Sequence, residues 1–147
     1  MELDDLRMFV ATVDAGSFTA AADQLMLSKQ FVSRRTMALE ASLGVRLLHR
    51  NTRKLAVTES GVDFYARAQR ILAEAMAREL GPKGVHVAYL VIDAVIDLEW
   101  TRRMFTDASN EFFITPAAIA EEAWHVAHQD RCAWSFHVEV RPFGEAW

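Results

Sequence analysis

The sequence is short of the residues that staple, break or span. A single cysteine, Cys132, stands among 147 residues, so no internal disulfide can form. No Cys-x-x-Cys or Cys/His spacing surrounds it, which excludes the common zinc frameworks, and its expected place is a small, half-buried packing position. Three prolines and six glycines are too few for a loop-rich scaffold. No apolar run approaches the roughly 18 residues of a membrane span, and the N-terminal MELDDLRM is acidic where a secretory signal is basic. No membrane partner and a cytoplasmic location are therefore expected. Neither Gly-x-Gly-x-x-Gly nor Gly-x-x-x-Gly-x-Gly occurs; without that phosphate turn no dinucleotide cofactor is expected.

What is present is apolar and unevenly charged. Hydrophobic residues make up 52% and charged residues 24%, enough to fold as one ordinary domain or two small ones. Met1 to Leu80 carries 11 Lys+Arg against 10 Asp+Glu, whereas Gly81 to Trp147 carries 5 against 10. Between Ser28 and Thr58 stand Lys29, Arg34, Arg35, Arg46, Arg50, Arg53 and Lys54, with Glu40 the single acid. Phosphate affinity follows such local density rather than net charge, so an acidic chain can still bind DNA here.

Apolar spacing in the first half predicts helices. Leu3, Leu6, Val10 and Val13 repeat at threes and fours, with Gly16 to end the helix in a left-handed cap. Ser17 caps a second helix through Ala20 to Ala22 and Leu25, and Ser28 caps a third, KQFVSRRTMALEASL. In the third, Val32, Thr36, Leu39 and Leu43 form the inner stripe, opposite Gln30, Arg34, Met37, Ala38 and Ala41, with Ser33 and Arg35 on the flanks. Small residues beside hydrogen-bond donors let a helix approach a duplex closely. After Gly44, VRLLHRNTRKLAVT predicts two short strands around the basic loop Asn51 to Lys54, of a kind that enters a minor groove.

SFTAAADQL and LSKQFVSRRTMALEASLGVRLLHRNTRKLAVTESG, with the helix that follows, resemble the N-terminal winged helix-turn-helix of LysR-type transcriptional regulators over about residues 1–75. The resemblance implies double-stranded DNA as partner, with Ser28, Lys29, Gln30, Ser33 and Arg34 at the major groove or its phosphates and Arg53 with Lys54 at the wing. Arg35, Met37 and Arg50 complete the candidate DNA-binding set. Lys29, Phe31 and Thr36 depart from residues common in the family, so its operator preferences do not transfer. The family's next element is a linker helix that pairs in a dimer; here Thr58 can cap it, and Phe64, Ala68, Ile71, Leu72 and Ala75 form the candidate dimerisation stripe.

Beyond Leu80, Gly81, Pro82 and Gly84 stop the helix, and Val85 to Ile92 is an apolar, β-branched run expected as a strand covered on both faces. TPAAIAEEAWHVAHQ predicts a helix capped by Thr115, with Pro116 first and Ile119, Ala123 and Val126 on one side. AWSFHVEV predicts a closing strand. MARELGPKGVHVAYLVIDAVID and TPAAIAEEAWHVAHQDRCAWSFHVEVRPFGEAW resemble the C-terminal end of a short-chain dehydrogenase/reductase, over about residues 76–147. That family's catalytic Tyr-x-x-x-Lys is missing, since Tyr65 is followed by Gln69 and Tyr89 by Asp93. His125, His128 and His137 lack a completing ligand, so no metal is expected; Asp93, Asp97 and Glu99 are expected as turn residues, and Trp100, Trp124, Trp134 and Trp147 as core and interface bulk.

The expected fold is mixed α and β: a winged helix-turn-helix at 1–58, a linker or dimerisation helix at 59–80, and a small incomplete α/β unit (strand-helix-strand, parallel) at 81–147. The expected function is sequence-specific DNA binding by a homodimer joined through the linker helix and the C-terminal strands. The second half is expected to be a non-catalytic assembly unit, too short for an effector pocket of the regulator type. The alternatives are a short-chain dehydrogenase-like oxidoreductase or remnant subunit, and a non-catalytic interaction module.

Overall fold

The computed structural model describes residues 1–50 and 55–144, with Arg50 described by its backbone only. The chain divides into two compact units, Met1–Ala75 and Met76–Trp147. The first contains α1 (Leu3–Asp14), α2 (Phe18–Leu25), α3 (Lys29–Leu43), the antiparallel strands β1 (Leu48–Arg50) and β2 (Leu55–Val57), and most of α4 (Glu59–Leu80).

Local chemistry sets these boundaries. Ser17 Oγ accepts the amides of Thr19 at 3.2 Å and Ala20 at 3.4 Å, and Ser28 Oγ accepts that of Phe31 at 3.2 Å. Each bond satisfies an amide that has no partner inside its own helix. Gly16 and Gly44, at φ 59° and 67°, supply the left-handed residues that end α1 and α3.

The core joins three helices to the hairpin. Phe9, Leu39, Leu47 and Leu48 form one buried cluster, and Met8, Ala22 and Val32 form another. The buried face of α1 is therefore broader than, and turned from, the stripe its aliphatic spacing predicts. Phe9 is fully buried while Leu3 is 51% exposed, because α1 packs on α2 and α3 and also contributes to the hairpin cluster. Leu43, at the last turn of α3, is likewise exposed. Two buried threonines satisfy their hydroxyls inside their own helices, Thr12 donating to the Met8 carbonyl at 2.7 Å and Thr36 to that of Val32 at 2.9 Å.

The turn between α2 and α3 contains Met26 at φ 55° and 92% exposed. Left-handed backbone is costly for a residue bearing a Cβ, and this side chain gains little packing in return. Met26→Gly is expected to stabilise the protein by about 1 kcal/mol in urea denaturation, the relief of left-handed strain exceeding the entropy cost of glycine.

In the second unit, β3 (Tyr89–Ile92) and β6 (His137–Val140) pair in parallel, with Tyr89 opposite His137 and Ile92 opposite Val140. β4 (Val95–Ile96) and β5 (Phe113–Ile114) form another parallel pair, and α5 (Glu99–Met104) and α6 (Pro116–Ala127) complete the unit. The strand-helix-strand plan is present, but β4, α5 and β5 lie between its parts; strands of two residues and a helix of six are too short to leave a measurable periodicity. The run from Val85 joins the ladder only at Tyr89. His86 Nε2 instead donates to the Ser135 carbonyl at 2.8 Å, its ring stacked 4.8 Å from that of Trp134. Nor is the run covered on both faces within the chain: Val85 is 46% and Ile92 38% exposed.

Thr115 caps α6 by accepting the Ala118 amide at 3.2 Å, and Pro116 opens it. Val126 is buried and Ile119 half-buried, but Ala123 is exposed. Three further expectations are corrected here. Cys132 is exposed, in a turn where Asp130 accepts its amide at 2.9 Å. Trp100 and Trp124 are 61% and 68% exposed rather than core, Trp124 lying against His128 at 3.7 Å. Glu99 starts a helix instead of occupying a turn. Trp147 lies outside the described residues.

Asp97 receives a two-pronged bond from Arg102, Nε to Oδ1 at 2.6 Å and Nη2 to Oδ2 at 2.8 Å, while the guanidinium lies 4.1 Å from the Phe113 ring centroid. The hydrogen bond from Arg102 holds the Asp97 carboxyl below its ordinary 3.8. A depressed carboxyl adds stability that is present above the unfolded value and is lost as pH falls through the folded one. Melting temperature is therefore expected to fall on acidification below that ordinary value, and Asp97→Asn is expected to flatten this part of the profile.

Candidate nucleic-acid interface

Helix α3 owes its outward face to the burial of Val32, Thr36 and Leu39 on the other. Lys29, Gln30, Arg34, Met37, Ala38 and Ala41 are exposed, and Ser33 and Arg35 are half-buried. Ser28 is exposed too, its oxygen capping the helix. The Arg34 guanidinium lies 5.7 Å from the Phe31 ring centroid, and Phe31 packs against the Met8, Ala22 and Val32 cluster. A ring anchored in the core thus steadies an exposed arginine at the N-terminal end of the helix. Beside the C-terminal half runs an open groove lined by Met37, Ala41, Gly44, Val45 and Arg46.

Arg35 is placed differently from its neighbour. Its Nη2 lies 2.7 Å from Glu2 Oε2 and 2.6 Å from Asp5 Oδ1, and its side chain is 31% exposed. The Glu2 hydrogen bond, with the field of Asp5, raises its pKa further above an already high value.

The hairpin is fixed to α3 by a residue outside the candidate set. Glu40, 7% exposed, accepts the amides of Leu47 at 2.8 Å and Leu48 at 3.0 Å through one carboxylate oxygen. Its signal in the sequence is that it is the one acid in a basic run. Arg50 pairs with Leu55 at the end of the hairpin ladder, whereas Arg53 and Lys54 lie outside the described residues.

The start of α4 is tied to the same root. Thr58 Oγ1 donates to the Arg46 carbonyl at 2.7 Å and accepts the Gly61 amide at 3.0 Å. Gly61 is a second residue absent from the candidate set: a Cβ there would lie 2.1 Å from the Leu47 carbonyl oxygen, so only glycine permits this approach. Along the dimerisation stripe, Phe64 packs on Phe9 at 5.3 Å between centroids and Ala68 is buried, whereas Ile71 is 42% exposed and Leu72 and Ala75 are half-buried. Tyr65 donates to Asp14 and accepts Gln69 Nε2 at 2.7 Å, which adds a polar tie between α4 and the end of α1.

Among the described residues no three His, Cys, Asp or Glu side chains converge on a possible metal position, and no helix is long and apolar enough to cross a membrane.

Three helices with a tight α2–α3 turn, followed by a two-stranded hairpin, define a winged helix-turn-helix domain. Residues 3–62 match the bacterial regulatory helix-turn-helix protein family, lysR family. The match is confined to the N-terminal unit of this chain. The HTH-type transcriptional regulator CrgA of Neisseria meningitidis is 47% identical over 83 residues, 56% of this chain and 28% of CrgA. The chain spans about a quarter of the length of such curated relatives. In the BenM_DBD/catB site 1 DNA complex, the protein is 39% identical with a TM-score of 0.55, over 57% of this chain and 93% of that one. An H2O2-bound OxyR mutant of Corynebacterium glutamicum is similar over 95% of this chain and 39% of its own, with a TM-score of 0.54; at 23% identity this is a likeness of fold alone.

Glu40→Ala is expected to cost roughly 2–3 kcal/mol in urea denaturation, because it leaves the Leu47 and Leu48 amides without their acceptor. Glu40→Gln, which keeps an acceptor oxygen, is expected to cost less than half of that.

Proposed function

We propose that this chain is a sequence-specific DNA-binding protein of the LysR regulator type, acting as a homodimer. The observation that carries the proposal is the exposed face of α3, where Lys29, Gln30 and Arg34 stand beside Ala38 and Ala41, next to a hairpin held to the same helix. In this reading α3 enters a major groove, with Gln30, Ser33 and Arg34 toward base edges and Ser28 and Lys29 toward phosphates, while Arg50, Arg53 and Lys54 serve the wing. Met37 lines the approach. The resemblance of the domain to one crystallised with DNA supports this reading.

The dimer rests on the division of labour along α4. Phe64 and Ala68 are spent inside their own domain, which leaves Ile71, Leu72, Ala75 and the 52% exposed Met76 to meet a second copy. We infer that residues 81–147, together with the helical turn before them, form a short-chain dehydrogenase-like scaffold that serves assembly and offers no effector pocket of the regulator type. Its open two-stranded parallel sheets and the missing Tyr-x-x-x-Lys support that part. Saturable quenching of tryptophan fluorescence by a nicotinamide dinucleotide would count decisively for the oxidoreductase reading instead.

The test is selection of bound duplexes from a random pool, followed by fluorescence anisotropy across a salt series. Affinity is expected to fall linearly on logarithmic axes as counterions are released. Arg34→Ala is expected to lose about 1–3 kcal/mol on the selected duplex and much less on random DNA if the side chain reads a base. Equal loss on both would assign Arg34 to a phosphate, and wild-type protein that binds no duplex at low salt would falsify the proposal.

A further inference from the structure

Arg35 adjoins Arg34 on the outward half of α3 and by charge alone belongs with the DNA contacts, yet its geometry assigns it elsewhere. One nitrogen, Nη2, reaches two carboxylates at the start of α1, Glu2 just before the helix at 2.7 Å and Asp5 in its first turn at 2.6 Å. Asp5 is itself fixed, its other oxygen accepting the Glu2 amide at 2.9 Å and its side chain only 9% exposed. Arg35 Nε is buried with no hydrogen-bond partner among the described residues, so the guanidinium has already given up part of its hydration. Lys29, Gln30 and Arg34 on the same helix are exposed.

We propose that Arg35 is a positioning residue: clamped by Glu2 and Asp5, it fixes the rotation of the DNA-facing helix against α1, and its charge is withheld from the DNA phosphates. The proposal rests on the DNA-binding reading above and revises the sequence expectation for this residue. Two carboxylates around one guanidinium leave the corner with no net positive charge to offer. To reach a phosphate, Arg35 would have to abandon two short, partly shielded bonds and leave Asp5 unpaired in a nearly buried position. Retained, the same bonds oppose rotation of α3 about its axis, the motion that would move Gln30 and Arg34 out of register with base edges.

The two roles differ in their dependence on salt. Full-length wild type, Arg35→Ala, Asp5→Asn and the double variant are titrated by anisotropy against the duplex selected by wild type and against a random duplex, from low to moderate salt. Circular dichroism melts establish that each is folded, and Asp5→Asn, close to isosteric, serves if Arg35→Ala does not fold. Positioning predicts that either single variant loses about tenfold on the selected duplex and less than about twofold on the random one, and that the double variant loses no more than the worse single, as coupled residues do. It also predicts an unchanged salt slope. A slope reduced by about 0.9 per chain in Arg35→Ala, with equal loss on both duplexes, marks a phosphate contact and overturns the proposal. So does tighter binding by Asp5→Asn, which would mean that Arg35 serves DNA once released. Failure of wild type to bind any duplex removes the functional reading and this role with it, whereas either of the other two outcomes removes this role alone.

Discussion

The arrangement of the first unit depends on one buried carboxylate. Glu40 projects from the inner side of α3 and takes the amides of Leu47 and Leu48, the two residues that carry the chain from the end of that helix into the hairpin. Both leucine side chains belong to the main cluster with Phe9 and Leu39. Without an acceptor at this depth, two backbone donors would be stranded beside the cluster, each at a cost comparable to a lost core contact. The bond therefore decides where the hairpin leaves the body of the domain, and with it how the wing stands beside α3.

The three pieces grouped around the outward face of α3 are thus held by three different kinds of force. Apolar burial seats α3, a charged acceptor seats the hairpin, and close backbone approach at Gly61 seats the start of α4. Arg35 and its two acids add a fourth tie, from the outer flank of α3 to the N-terminal end of α1. A helix held from both its inner and its outer side has little freedom to roll, which suits the base-reading role proposed for it.

Much of this was legible in the residues. Ser17, Ser28, Thr58, Gly44 and Thr115 mark their helix ends because capping is local chemistry, decided within four residues. The outward face of α3 was legible for the same reason, since it follows from period and composition alone. The rest depended on partners distant in sequence. Nothing near Arg35 announces Glu2, 33 residues away, and nothing near Gly61 announces the Leu47 carbonyl. In α1, aliphatic spacing pointed to Leu3 while Phe9 took the core, because a helix that meets several partners buries more than one stripe. The second unit was least legible. Its central ladder has four residues per strand and its second pair only two, so pairing decides what periodicity cannot.

The joint at Thr58 and Gly61 has a mechanical meaning. Helix α4 has 22 residues, a rod of about 33 Å, and its first turn is bonded to the Arg46 carbonyl and pressed against that of Leu47. A hinge needs slack, and this junction has none. A load on the first turns of the helix therefore passes directly into the base of the hairpin, so that within the first unit the wing's root and the start of α4 behave as one piece.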